Sequence, residues 1–189
     1  MVITTLLGYF ILVGFSLIEG RVRRGADAKS FEPGEFDQRT TRFLGLAYFI
    51  SVIALLASWL LNLFRVGVLP VWIGWIGIMV ALLGLLLRLW SNHVLGAFYT
   101  RTLKVVDNQV IVREGPYRLI RHPGYLGMLL VWSGIAAATG NWIVLLIVFV
   151  VTVCAYYYRI ENEEKMLLTM HADYSEYRLN TWRLLPFVY

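Results

Sequence analysis

The sequence predicts an all-α integral membrane protein of about five transmembrane helices. The last two form a tight hairpin, and a connector and a C-terminal helical tail close a pocket on one membrane face. Three observations lead there. Of the 189 residues, 59% are hydrophobic and 15% are charged, against ~25% charged in soluble proteins. The apolar residues come in long runs free of charge that cover the whole length, which predicts one membrane domain over 1–189, with three spans in 1–90 and the site-bearing half in 91–189. Finally, GPYRLIRHPGYLG at 115–127 sets two Pro, three Gly, two Tyr, two Arg and a His between a polar segment and the last apolar stretch. That is too much charge for a span and too much backbone punctuation for an ordinary loop.

Residues 2–18 carry no charge. They lack a basic leader, and Glu19-Gly20-Arg21 is no small-residue cleavage site, so the run reads as a retained span. Residues 20–42 are polar and of mixed charge, with a Pro33-Gly34 turn signal, and read as a solvated loop. Residues 43–64 give 22 uncharged positions, about 33 Å of helix, enough for a ~30 Å bilayer core. Residues 66–87 give a third span whose Gly74, Gly77 and Gly84 would let a neighbouring helix approach closely. Trp72, Trp75 and Trp90 lie toward its ends, where amphipathic rings favour the interface.

Residues 88–122 form the longest polar segment. Within it 91–104 has helical potential at the membrane surface, 105–112 (VVDNQVIV) is β-prone, and His93 reads as interfacial rather than as a ligand. From Pro123 to Tyr158 there is no charge, and Thr139-Gly140-Asn141 breaks the run into a hairpin with arms of about 17 residues. The second arm is expected to run on past Glu164, with Ala172-Asp173 interrupting it. Cys154, within an apolar run, reads as a buried packing thiol and has no partner for a disulfide. No Cys/His cluster points to a metal, and the positive charges flank apolar runs, which fits membrane orientation rather than nucleic acid. With five spans, all Lys and Arg except Arg65 fall on one side; the positive-inside rule makes that side cytosolic and the N-terminus external.

The candidate chemistry lies where the hairpin brings two polar segments together. Pro123 suits the first turn of a helix with His122 at its N-cap. The free amides there, with His122, Arg121 and Arg118, describe either an anion-tolerant pocket mouth or a basic juxtamembrane turn that anchors the helix. Arg159 and Glu163 are four apart and share a helix face, either as an ion pair or as an anion-binding arginine beside a carboxylate for a cationic ligand. Glu163 and Glu164 are adjacent, so at most one faces the pocket of Arg159.

Taken in order, GPYRLIRHPGYLG, the hairpin, R-x3-EE-x2-L from Arg159, the pair Tyr174 and Tyr177, and TWRLLP resemble the isoprenylcysteine carboxyl methyltransferase family over residues 95–186. The resemblance implies methylation of a substrate carboxylate by S-adenosylmethionine. It places the cofactor along Gln109, Val110, Ile111, Val112, Tyr117, His122, Pro123, Gly124 and Tyr125, with Glu163 and, by ungapped comparison, Thr102. It gives Arg159 the substrate carboxylate, which makes Arg159 and Glu163 the catalytic pair. It also implies a cofactor arriving from the cytosol and a lipidic or prenylated acceptor arriving from the bilayer. In a prokaryote that means the cell membrane and an acceptor that is another small or lipidic acid, thiol or amine. The RHPGYLG stretch is similar in membrane sterol reductases, so an NADPH-dependent reductase is the alternative enzyme. A non-catalytic lipid- or partner-binding membrane protein is the third reading. Oligomeric state is left open.

Overall fold

A computed structural model describes residues 1–22, 37, 39–98, 103 and 110–187. Among the described residues six α-helices follow one another: α1 (Val2–Val22), α2 (Thr40–Leu63), α3 (Val71–Leu95), α4 (Pro123–Ala138), α5 (Trp142–Met170) and α6 (Tyr174–Leu179). Single 3-10 turns stand at Gly96–Phe98 and Gly115–Arg118, and no strand occurs among the described residues. Four helices, α1, α2, α3 and α5, are long and apolar enough to cross a membrane. The remaining expected span, the fourth in chain order and here α4, has 16 residues, about 24 Å. Its Val131, Ile135, Ala136 and Ala138 are fully buried, so it is the central helix, sheathed by others.

The glycines anticipated in the third span explain how α4 is held. A Cβ on Gly77 would stand 2.6 Å from the Gly134 carbonyl oxygen, and one on Gly84 2.6 Å from that of Gly127. The reciprocal positions are equally tight, at 2.6 Å from Gly134 to the Gly77 oxygen and 2.8 Å from Gly127 to the Gly84 oxygen. The two backbones therefore touch along two turns, a contact that side chains on either helix would prevent. On its other sides α4 meets α1, where Gly8 faces Ala138 and Ile135, and α5, its hairpin partner. At the hairpin end Asn141 caps α5 by accepting from the amides of Ile143 and Val144 at 3.1 and 3.3 Å. Its amide nitrogen donates to the Val66 carbonyl at 2.7 Å, which ties the hairpin turn to the loop after α2.

Several boundaries differ from the expectation. The third span begins at Val71, because residues 65–70 turn with Arg65 and Gly67 at positive φ and Pro70 preceding the helix. It then runs past Arg88 to Leu95 and ends at Gly96, whose φ is 57°. Arg88 is tolerated inside it because Glu19 of α1 pairs with it at 2.7 Å. The surface helix expected over 91–104 is thus, as far as it is described, the end of α3. Residues 110–112 are not a strand, and the rest of the β-prone stretch lies outside the described residues. Cys154, expected to be buried, is exposed on the outer face of α5. Asp37, read as part of a solvated loop, is buried. His93 is exposed, as expected.

The glycine contact predicts an asymmetry between substitutions. Gly77→Ala forces a methyl group onto the α4 backbone and should destabilise the protein by about 1–3 kcal/mol, the cost typical of overpacking. Gly14→Ala, where nothing lies within 4 Å, should be neutral or slightly stabilising. Thermal unfolding of both variants in the same detergent checks this, and equal behaviour would refute the contact.

Candidate active site

The polar end of the bundle is where α1 and α3 end, α2 and α4 begin, and α5 projects beyond its apolar part. At 29 residues, α5 is about 43 Å long, well over the ~30 Å of a bilayer core, and its surplus carries Arg159, Glu161, Glu163 and Glu164. The helix breaks at His171, as the Ala172-Asp173 signal anticipated, and α6 turns the tail back. The tail then pairs with the segment before α4. Trp182 N–H donates to Leu119 O at 3.0 Å, Arg121 N–H to Trp182 O at 2.8 Å, and His122 N–H to Arg183 O at 3.1 Å. Two motifs far apart in the sequence, RLIRHP and TWRLLP, are therefore neighbours.

Glu164 secures this arrangement. Its Oε1 accepts from Arg121 Nε at 2.9 Å and lies 3.2 Å from His122 Nε2, while its Oε2 accepts from Arg183 Nη2 at 2.7 Å and Nε at 3.1 Å. Arg121 also donates to the carbonyls of Arg178 and Thr181. Arg121 is engaged by Glu164 and His122 shares that carboxylate, and both line the cavity, while Arg118 is exposed. The turn thus anchors the tail through Glu164 and also borders the cavity.

Glu163, one residue earlier, faces the other way. Tyr125 Oη donates to its Oε2, and Arg159 Nε donates to Tyr125 Oη at 3.3 Å. The tyrosine hydroxyl thus stands between the arginine and the glutamate that the sequence placed on one face. The Tyr125 ring stacks on His122 with centroids 5.6 Å apart and tilts against Tyr156 at 5.2 Å. The other guanidinium edge of Arg159 is held from α2. Its Nη1 donates to Asp37 Oδ1 at 3.2 Å, Thr40 Oγ1 at 3.0 Å and Thr41 Oγ1 at 2.9 Å.

These groups border a cavity of about 470 Å³, within the range of small-molecule sites. Val110, Ile111, Val112, Tyr117, His122, Gly124, Tyr125, Arg159 and Glu163 all line it. Pro123 opens α4 beside them, and Thr102 and Gln109 lie outside the described residues. Tyr174 and Tyr177 cover the polar end. Burial pushes the Tyr177 hydroxyl up to about 12 against the pull of Arg121 and Arg113, and it donates to Tyr117 O at 2.7 Å. Burial, with Glu164 and Glu163 nearby, raises Tyr174 as well. Both phenols are neutral at ordinary pH. Toward the membrane the lining becomes apolar and aromatic, with Leu12, Phe15, Leu44, Met128, Tyr48 and Trp132; the last two stack at 5.0 Å.

Sequence reasoning missed three groups. Asp37 with Thr40 and Thr41 lay in a loop read as solvated, although an Asp followed by Thr just before an apolar run is a helix-start signal. Glu19 and Arg88 each close an uncharged run, and in the fold they form one partly buried pair in the cavity wall. The aromatic set Tyr48, Trp132 and Tyr156 read simply as span. No group of three or more His, Cys, Asp or Glu able to hold a metal occurs among the described residues.

A family model described as isoprenylcysteine carboxyl methyltransferase (ICMT) family matches residues 75–169. That range holds nearly all of α3, then α4 and α5, and leaves out α1, α2 and the tail. The uncharacterized protein YpbQ of Bacillus subtilis (strain 168) is 33% identical over 57 residues, 30% of this chain and 34% of that protein. The chain therefore aligns with about a third of the length of that curated relative.

Glu164→Gln should loosen the tail. Removing one charge from a buried ionic cluster costs about 3–5 kcal/mol, so the unfolding temperature should fall and proteolysis within 174–187 should accelerate. Glu176→Gln, at an exposed position, is the control. If both variants keep the wild-type digestion pattern, Glu164 does not hold the tail.

Proposed function

Since the chain belongs to the isoprenylcysteine carboxyl methyltransferase family, we propose that it transfers a methyl group from S-adenosylmethionine to a carboxylate on a lipidic, isoprenylcysteine-like acceptor at the membrane. The observation that carries the reading is one continuous cavity with two unlike ends. It runs from a polar end with Arg159, Tyr125 and Glu163 to an apolar end between α1, α2 and α4. A charged donor and an apolar acceptor need such a site, with one opening to each phase.

The residues fit the cofactor in size and chemistry. Glu163 offers a carboxylate to the cationic end, and Tyr117, Tyr125 and the edge of Val110, Ile111 and Val112 offer apolar and aromatic surface to the adenosine. Thr102 and Gln109 complete the proposed set. His122 contributes through its ring, fixed by the stack on Tyr125 and by Glu164. When bound, S-adenosylmethionine supplies an electrophilic methyl group on a cationic sulfur; a carboxylate oxygen takes the methyl, leaving a neutral thioether and a methyl ester. A carboxylic acid is already ionised at neutral pH, so no general base is needed. Arg159 orients the carboxylate, and the protein's main task is alignment, which is worth several kcal/mol of a barrier. The polar end faces the cytosol in this reading, with the N-terminus outside.

Calorimetric titration of the detergent-purified protein should show saturable binding of S-adenosylmethionine and S-adenosylhomocysteine and none of NADPH. The reverse result would instead establish the reductase. With N-acetyl-S-farnesyl-cysteine as acceptor, Arg159→Ala should lower kcat/KM by roughly a hundredfold, as loss of a charge-assisted contact does, while S-adenosylhomocysteine affinity stays within about threefold. Glu163→Gln should weaken cofactor binding by about tenfold. Loss of cofactor binding in Arg159→Ala would contradict a substrate role.

A further inference from the structure

We propose that Asp37, with Thr40 and Thr41, is the positioning device for Arg159, fixing the plane in which its guanidinium meets the acceptor. The proposal rests on the methyltransferase reading for what Arg159 meets, and on geometry alone for how Arg159 is held. A guanidinium turns about its side-chain bonds unless it is fixed at two atoms. Here Nε is fixed by Tyr125 Oη at 3.3 Å and Nη1 by Asp37, Thr40 and Thr41 at 2.9–3.2 Å. The device is itself closed. Thr40 Oγ1 and Thr41 Oγ1 donate to Asp37 Oδ1 at 2.7 and 2.8 Å, and the Thr41 amide donates at 3.3 Å, so the carboxylate also satisfies the start of α2.

Its place argues against Asp37 occupying the acceptor's position. Arg159 and Thr41 form part of the cavity wall, whereas Asp37 and Thr40 stand behind them, off the wall. Asp37 and Arg159 are 2% and 3% exposed. A buried arginine without a counter-ion costs several kcal/mol, and Asp37 supplies one from outside the cavity. Glu163 is thereby left to the cofactor side. The carboxylate comes from before α2, in the part of the chain that the family model does not match.

The test uses full-length protein in nanodiscs and the variants Asp37→Ala, Asp37→Asn and Arg159→Gln. Asp37→Ala should raise the KM for N-acetyl-S-farnesyl-cysteine by about tenfold with kcat changed less than about threefold and S-adenosylhomocysteine affinity unchanged. Asp37→Asn, which keeps an acceptor of the same shape, should restore most of the loss. In the Arg159→Gln background Asp37→Ala should add nothing. Unchanged KM, a parallel loss of cofactor binding, or an equal loss in the Arg159→Gln background would each overturn the proposal. If the wild type binds S-adenosylhomocysteine but does not methylate this acid, the acceptor reading falls and the positioning claim is decided by the ¹⁵N guanidinium signals of Arg159, assigned by their loss in Arg159→Gln. Slow rotation that becomes fast in Asp37→Ala supports it, and identical signals refute it.

Discussion

One carboxylate organises the polar end of this protein. Glu164 is buried and collects Arg121, His122 and Arg183, one pair from the segment before α4 and one residue from the tail. Without it those groups would crowd an apolar bundle as uncompensated charge or polarity. With it, the tail is drawn over the start of α4, three backbone hydrogen bonds form, and Tyr174 and Tyr177 come to rest above the cavity. The geometry around Tyr125 and Glu163 depends on that roof.

The N-terminal helices have a comparable part. Each brings a carboxylate to a cation in the segment matched by the family: Glu19 of α1 to Arg88 of α3, and Asp37, just before α2, to Arg159 of α5. Ionisable groups at membrane depth are costly, and they persist where they pair and serve a site. The first two helices are thus more than a wall against lipid, because they and the residue before α2 supply the opposite charge for Arg88 and Arg159, two of the arginines that border the cavity.

Much of this could be read from the residues. Charge-free runs gave the helices, and Thr139-Gly140-Asn141 marked the turn between α4 and α5. The α3 glycines were assigned to packing, and packing is what they do. Adjacent Glu163 and Glu164 were expected to diverge, and they do. The misses share a cause. Read locally, charge marks the end of a span, which cuts α3 short at Arg88, and polarity marks solvation, which puts Asp37 in a loop. Both rules hold for a residue alone. They fail when a partner from another helix neutralises it, and a partner 69 or 122 positions away leaves no local pattern. Cys154 failed in the opposite sense: an apolar run says that a residue avoids water, and in a membrane bundle lipid serves as well as a protein interior.

The backbone contact between α3 and α4 also decides which part of the cavity wall is rigid. Two helices that touch at Gly77 with Gly134 and at Gly84 with Gly127 cannot slide or part without opening a void along both, so they behave as one slab. The cavity floor is part of that slab through Met128 and Trp132. The part of the lining carried by α1 and α2 is joined differently, through side chains such as Tyr9 reaching the Leu55 carbonyl, contacts that a rotamer change can alter.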